Sequence, residues 1–275
     1  MDMKLRINSY YPSLTKSEQK VADGVMGGAD DLIYHSVTEL AEISGVGETT
    51  VMRFCRKIGF KGYQDFKLAL AQDQRDKKAD EAEAGADGDF TQLVYRETMG
   101  ILQDSMSLLN KEKLEQVIDL IDKARHVQFF GVGASGVTAQ DAKTRLLRIG
   151  RRAEAVNDAH IQAMMAVSMG EGDVAFGISL SGSTIDTNDI LMKAKQSGAA
   201  VIAMTNYAKS PITSIADLVL LTAGKESPLE GGSIGAKISQ LFLIDLICEG
   251  LARKDVARAK AMKEKTARAV IDKIY

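Results

Sequence analysis

Cysteine, proline and tryptophan are scarce in this chain: two, three and none among 275 residues. Cys55 and Cys248 stand far apart, and neither belongs to a CxxC pair or a Cys/His cluster. That excludes a zinc module and a disulfide scaffold, so no metal and no cofactor is expected. The sequence also lacks an HExxH helix and a GxSxG elbow, since "GISLSG" has the wrong register. No apolar run approaches the roughly 20 residues of a membrane helix, and "MDMKLRINSYYPSLTKSEQK" has no signal-peptide core. The expectation is a cytoplasmic protein without a membrane partner. A net charge of −2 gives no global pull toward nucleic acid, so a DNA-binding surface has to be local.

What is present is an ordinary apolar fraction, 45%, on a chain long enough for one large domain or two smaller ones. The stretch "AQDQRDKKADEAEAGADGD" is almost wholly small and charged and reads as a linker. Before it lie short helical patterns without strand-like runs. After it come two amphipathic helices, the second capped by Asn110, and then strand candidates "HVQFFGV", "RAEAV", "DVAFGIS", "AAVIAMT" and "DLVLLT" separated by helical patterns. The fold class expected is an all-α N-terminal helix-turn-helix domain plus an α/β domain with a five-stranded parallel sheet flanked by helices. The boundaries are 1–72 for the helical domain, 73–90 for the linker and 91–275 for the α/β domain.

In "SVTELAEISGVGETTVMRFCRKIGF", Ser36 caps a first helix whose Leu40, Ala41 and Ile43 face inward, and Gly45 marks a sharp turn. Val51, Phe54 and Ile58 then bury one face of a second helix, leaving Glu48, Thr49, Thr50, Arg53, Arg56 and Lys57 outside. Helix, glycine turn, helix is the geometry of a reader of the DNA major groove. Arg53 would reach a guanine edge, while Arg56, Lys57, Lys61 and Lys67 would meet phosphates. Spacing alone also admits a plain helical bundle with solvated charges, and Glu48, Asp30 and Asp31 weigh on that side.

Two glycine loops carry the remaining chemistry. "GVGASG" follows the first strand and opens a helix, formally matching GxGxxG, with Asp158 where a ribose-binding acid belongs. "SLSGST" sits between a strand and a helix, converging backbone N–H groups with the hydroxyls of Ser179, Ser181, Ser183 and Thr184; Gly182 allows close approach. With no lysine in the loop, these neutral donors suit a small monophosphate; serines that merely form a turn and cap a helix are the other reading. A dinucleotide would explain the first loop and leave the second unexplained. His160, in "NDAH", could move a proton on a sugar phosphate or simply cap a helix or bond the sugar; no paired base is evident, so catalytic residues are expected to be none.

The segments "LTKSEQKVADGVM", "SVTELAEISGVGETTVMRFCRKIGFKGYQDFKLAL", "GVGASG" and "SLSGST" together resemble the RpiR family of bacterial transcriptional regulators, over most of the chain. The resemblance implies an N-terminal DNA-binding domain and a C-terminal sugar isomerase (SIS) domain that senses a phosphorylated sugar and controls carbohydrate metabolism genes. It also implies a homodimer or homotetramer on a double-stranded operator. By the same resemblance Ser179, Ser181 and Thr184 are the hydroxyls of the phosphate turn, Gly133 and Ser135 lie beside the sugar, and Glu230, Ser233 and Lys237 contribute to the pocket. Ser183 stands where many members have a charged or amide residue, and Lys237 where arginine is common. "NDAH" and "GASG" look most like segments of regulators for amino-sugar phosphates. A sugar-phosphate isomerase with an accessory helical domain is the alternative.

Overall fold

A computed structural model describes residues 3–28, 31–81, 89–224, 229 and 234–271, with the backbone alone over 75–81. The chain divides into two compact units, one of residues 1–97 with 225–233 and one of 98–224 with 234–275.

The first unit is helical: α1 (Met3–Tyr10), α2 (Lys16–Gly27), α3 (Val37–Ile43), α4 (Glu48–Lys57) and α5 (Tyr63–Glu81). Reciprocal capping boxes, Thr15 with Glu18 and Ser36 with Glu39, start α2 and α3 by satisfying N–H groups that would otherwise lack partners. Gly45, at φ +61, takes the left-handed conformation that lets α3 break sharply into α4. The core gathers Leu40, Val51, Phe54, Ile58 and Phe66, with the Phe54 and Phe66 rings edge-on at 6.0 Å.

Three expectations about this unit change. Ile43 is 56% exposed, because α3 ends there after seven residues and only Val37, Leu40 and Ala41 reach the core. Thr50 is buried rather than outside: α4 packs against both α2 and α3, so its buried stripe widens to Thr50, Val51, Phe54 and Cys55. Lys67 is buried too, since it falls within the inward stripe of α5 with Tyr63, Phe66, Leu70 and Ala71. Moreover, α5 continues to Glu81, so the first part of the charged stretch is helix. Its alanine, lysine and glutamine content favours that state despite the polarity.

α6 (Phe90–Leu108) belongs to the second unit from Thr98 on, and with α7 (Lys111–Lys123, capped by Asn110) it leads into a parallel α/β sheet. Strands β1 (Val127–Phe130), β2 (Ala153–Ala155), β3 (Val174–Ile178), β4 (Ala200–Thr205) and β5 (Leu218–Leu221) pair in the order β2-β1-β3-β4-β5, all parallel. All five lie where the apolar runs put them. Between them come α8 (Gly133–Arg148), α9 (Ala159–Ser168), α10 (Ile185–Gln196) and α11 (Pro211–Ile215); α12 (Ile234–Lys254) and α13 (Val256–Arg268) follow.

Alternation along the strands makes three layers. Phe129, Phe176, Ile202 and Leu220 face one way, with Val117 of α7, Leu146 of α8 and Leu243 of α12. Phe130, Ala175, Val201 and Ala203 face the other, with Ala166 of α9, Leu191 of α10 and Ile212 of α11. Among the described residues no helix is long and apolar enough to cross a membrane.

Candidate functional site

The strand order reverses direction at β1 and β3: the chain leaves β1 toward β2 and leaves β3 toward β4. In open parallel sheets such a switch point opens a crevice at the carboxyl ends of the strands, and the two loops flanking it here are the glycine loops after β1 and β3. Topology thus brings together two motifs separated by nearly 50 residues of chain.

The turn after β3 is built so that its carbonyls face protein. Leu180 O accepts from Thr205 Oγ1 and from the Asn206 N–H, both at 3.1 Å; Gly182 O accepts from the Ile212 N–H at 2.9 Å and Asn188 Nδ2 at 3.2 Å. A trans peptide points its N–H opposite to its C=O, so the N–H groups of Ser181 and Ser183 are turned the other way, where the Ser183 N–H donates to Ser181 Oγ at 3.2 Å and Ser183 Oγ donates to Ser181 O at 3.3 Å. Ser179 Oγ lies 3.0 Å from Thr184 Oγ1, which keeps the Thr184 hydroxyl from capping α10. An uncapped helix start beside Ser181 and Ser183, both half-buried, offers donors to an anion. Gly182, at φ +62, is required twice over: a Cβ there would lie 2.1 Å from Ser210 Oγ. Asp186 in the same helical turn is exposed, so its charge is solvated.

The loop after β1 is held from behind by Gln162 of α9, which is fully buried and whose Nε2 donates to Gly131 O at 3.0 Å and Val156 O at 2.5 Å. Gly133 begins α8 and is exposed, while Ser135 is half-buried. Asp158, which a dinucleotide would need for its ribose, caps α9 by accepting from the Ile161 N–H at 2.9 Å. His160 is exposed in the first turn of α9, and its side chain has no hydrogen-bond or ion-pair partner among the described residues. Lys237 is half-buried in the first turn of α12, one turn before Gln240, whose Oε1 accepts from Thr138 of α8 at 2.7 Å. That places Lys237 at the same end of the sheet as the two loops. Glu230 and Ser233 lie outside the described residues.

In the helical unit, Thr49, Arg53, Arg56 and Lys61 are exposed, the first three on α4 and Lys61 shortly after it. Thr50 accepts from Arg53 Nη2 at 3.3 Å, so the buried threonine orients the arginine. Lys57 is paired with buried Glu18 of α2 at 3.0 Å. Burial pushes the Glu18 carboxyl up, but the Thr15 N–H and Lys57 outweigh it and hold it below its ordinary value. Glu48 accepts from Thr38 Oγ1 at 2.5 Å, which ties this acid back to α3. Lys67 Nζ donates to His35 O at 2.8 Å, inside the unit and away from any phosphate.

Burial pushes both Cys55 and Cys248 thiols up to about 12, which keeps them protonated and poor nucleophiles. Among the described residues no group of three or more His, Cys, Asp or Glu side chains is placed to hold a metal. Sequence pattern did not single out Gln162, Asn188 or Asn206. The signal for Gln162 was a polar residue on an otherwise apolar helix, "AHIQAMMAVS"; the asparagines act through geometry that only the folded turn reveals.

Comparison with known proteins adds three findings. The profile of the helix-turn-helix domain, rpiR family, matches residues 1–77, and that of the SIS domain matches 120–249. An uncharacterized HTH-type transcriptional regulator of Haemophilus influenzae is 39% identical over 275 residues, covering 97% of this chain and 96% of the relative. Among solved structures, the Vibrio vulnificus NanR protein complexed with ManNAc-6P superposes with a TM-score of 0.91 at 30% identity, covering 99% of both chains. The sugar isomerase domain of an RpiR transcription factor from Sphaerobacter thermophilus matches at TM-score 0.59 and 23% identity, over 64% of this chain and 97% of that one, a likeness of fold.

Proposed function

Because the chain belongs to the RpiR family of helix-turn-helix transcriptional regulators and carries a SIS domain, we propose that its effector is a phosphorylated amino sugar held at the β1/β3 switch point. The observation that carries this reading is the turn 179–184, with the Leu180 and Gly182 carbonyls anchored to protein, the Ser181 N–H turned away from them, and the Ser181 and Ser183 side chains half-buried beside an uncapped helix start. Ser179, Ser181, Gly182, Ser183 and Thr184 take the phosphate. Gly133, Ser135 and His160 line the sugar side together with Lys237; Glu230 lies outside the described residues. The likeness of the whole chain to NanR, a protein complexed with ManNAc-6P, supports an amino sugar over other phosphorylated sugars.

In this reading the site binds without turnover. His160 is exposed, and its side chain has no hydrogen-bond or ion-pair partner among the described residues to share a proton transfer. Residues 1–72 form the DNA-binding domain, 73–90 the connecting stretch and 91–275 the sensor. Thr49 and Arg53, the latter oriented by Thr50, face the base edges, and Arg56 and Lys61 face the phosphates together with Lys57, whose ammonium also holds Glu18. The protein acts in the cytoplasm as a homodimer or homotetramer; α9 carries no charged residue and exposes Ile161, Met164 and Val167, a surface suited to a second copy.

A thermal-shift panel of sugar monophosphates tests the effector, because a ligand of the native state raises the melting temperature by mass action. N-acetylmannosamine 6-phosphate should stabilise the wild type and not Ser181→Ala, and unphosphorylated N-acetylmannosamine should stabilise neither. Equal stabilisation of both proteins would remove the turn from the site.

A further inference from the structure

Ser105 is the one residue of α6 that is buried, at 0% exposure, on a helix that exposes Phe90, Leu93, Val94, Tyr95 and Met106 to solvent. A helix with so much apolar surface outside has no hydrophobic reason to place a hydroxyl at its single buried point. The hydroxyl has a partner there: Ser105 Oγ accepts from the Ala223 N–H at 3.4 Å and donates to Ile101 O at 2.7 Å. Ala223 follows β5, where the ladder to β4 has ended, so without the serine its buried N–H would lose that partner.

The exit of β5 is fixed from the other side by Asn206, directly after β4. Its Nδ2 donates to Gly224 O at 2.5 Å, and its Oδ1 accepts from the hydroxyl of Thr222, itself 1% exposed. The backbone N–H of the same asparagine donates to Leu180 O, the carbonyl whose peptide unit carries the Ser181 N–H of the 179–184 turn. The peptide is rigid and planar, so a ligand that draws the Ser181 N–H toward itself reorients the Leu180 carbonyl and loads Asn206. Asn206 has its side chain fixed at both ends on the β5 exit, and the β5 exit is bonded to α6. Each step is a hydrogen bond within the second unit, and α6 is the helix in which the chain passes from one unit to the other.

We propose that Asn206 and Ser105 are positioning residues for the effector response: they transmit occupancy of the 179–184 turn through the β5 exit to α6. The inference rests on the reading of that turn as the effector site. It assigns to two residues outside the pocket the task of making occupied and empty states differ at the helix nearest the DNA-binding unit in sequence. Such a difference is what any effector needs in order to shift an equilibrium.

Hydrogen–deuterium exchange on the full-length protein tests it, with N-acetylmannosamine 6-phosphate as probe and calorimetry of the same samples for affinity. In the wild type, exchange should change at the 179–184 turn and, by about fivefold or more, over residues 98–108 of α6. Ser105→Ala should bind the probe with an affinity within about twofold of wild type and keep the change at the turn, yet lose the change in α6. Asn206→Asp, nearly isosteric but unable to donate to Gly224 O, should lose the α6 change at saturation and serves should Ser105→Ala fold poorly. An α6 change that persists in both variants, or is missing in a wild type whose turn responds, overturns the relay alone. Absence of any binding overturns both the relay and the effector reading.

Discussion

Lys67 shows how much a single buried charge can reveal. Burial pushes its ammonium down to about 8, with Glu39 pulling it back up. A base whose folded-state pKa is lowered gives up its proton first in the folded state, so stability rises with pH between about 8 and the unfolded value near 10.4. The full span is worth on the order of 3 kcal/mol. The melting temperature of the helical unit should therefore climb through this window, and Lys67→Met should flatten the climb while being no less stable at pH 7. Parallel pH profiles for the two proteins would remove Lys67 as the cause. Arg53 is the opposite case, exposed and oriented by Thr50. Arg53→Ala should weaken operator recognition by about 1–3 kcal/mol in an anisotropy titration, whereas Lys61→Ala should mainly reduce the salt slope. Equal operator affinity in Arg53→Ala and wild type would take that arginine out of base contact.

At the scale of elements, the periodic segments were legible and the edges between stripes were not. Five strands, the cap of α7 and the turn at Gly45 were readable because each rests on local chemistry: apolar runs, an asparagine oxygen, a left-handed glycine. Thr50 and Ile43 were misplaced because a helical wheel does not say how many neighbours a helix has. With α2 and α3 both against α4, the buried stripe widens by one column and takes in Thr50. Lys67 followed a visible pattern, the fifth position of "YQDFKLALA", and its charge concealed it. The 179–184 turn was readable as a cluster of hydroxyls, but its supports come from β4, α10 and α11, which sequence does not bring together. Gly182→Ala puts a Cβ at a positive φ and against Ser210, and should cost about 1–3 kcal/mol in thermal unfolding along with effector binding. Wild-type binding in that variant would contradict the tight packing of the turn.

On the scale of the whole molecule, a helical reader and an α/β sensor with separate cores share one chain. An effector bound far from α4 in sequence can alter DNA affinity only by binding unequally to two arrangements of the protein. The most direct test is fluorescence anisotropy on a genomic DNA fragment selected by the protein itself, at fixed salt, with and without saturating N-acetylmannosamine 6-phosphate. The effector should shift the DNA-binding midpoint of the wild type by about fivefold or more and leave that of Ser181→Ala in place. A midpoint that does not move while calorimetry shows the effector bound would contradict the coupling of sensor to reader.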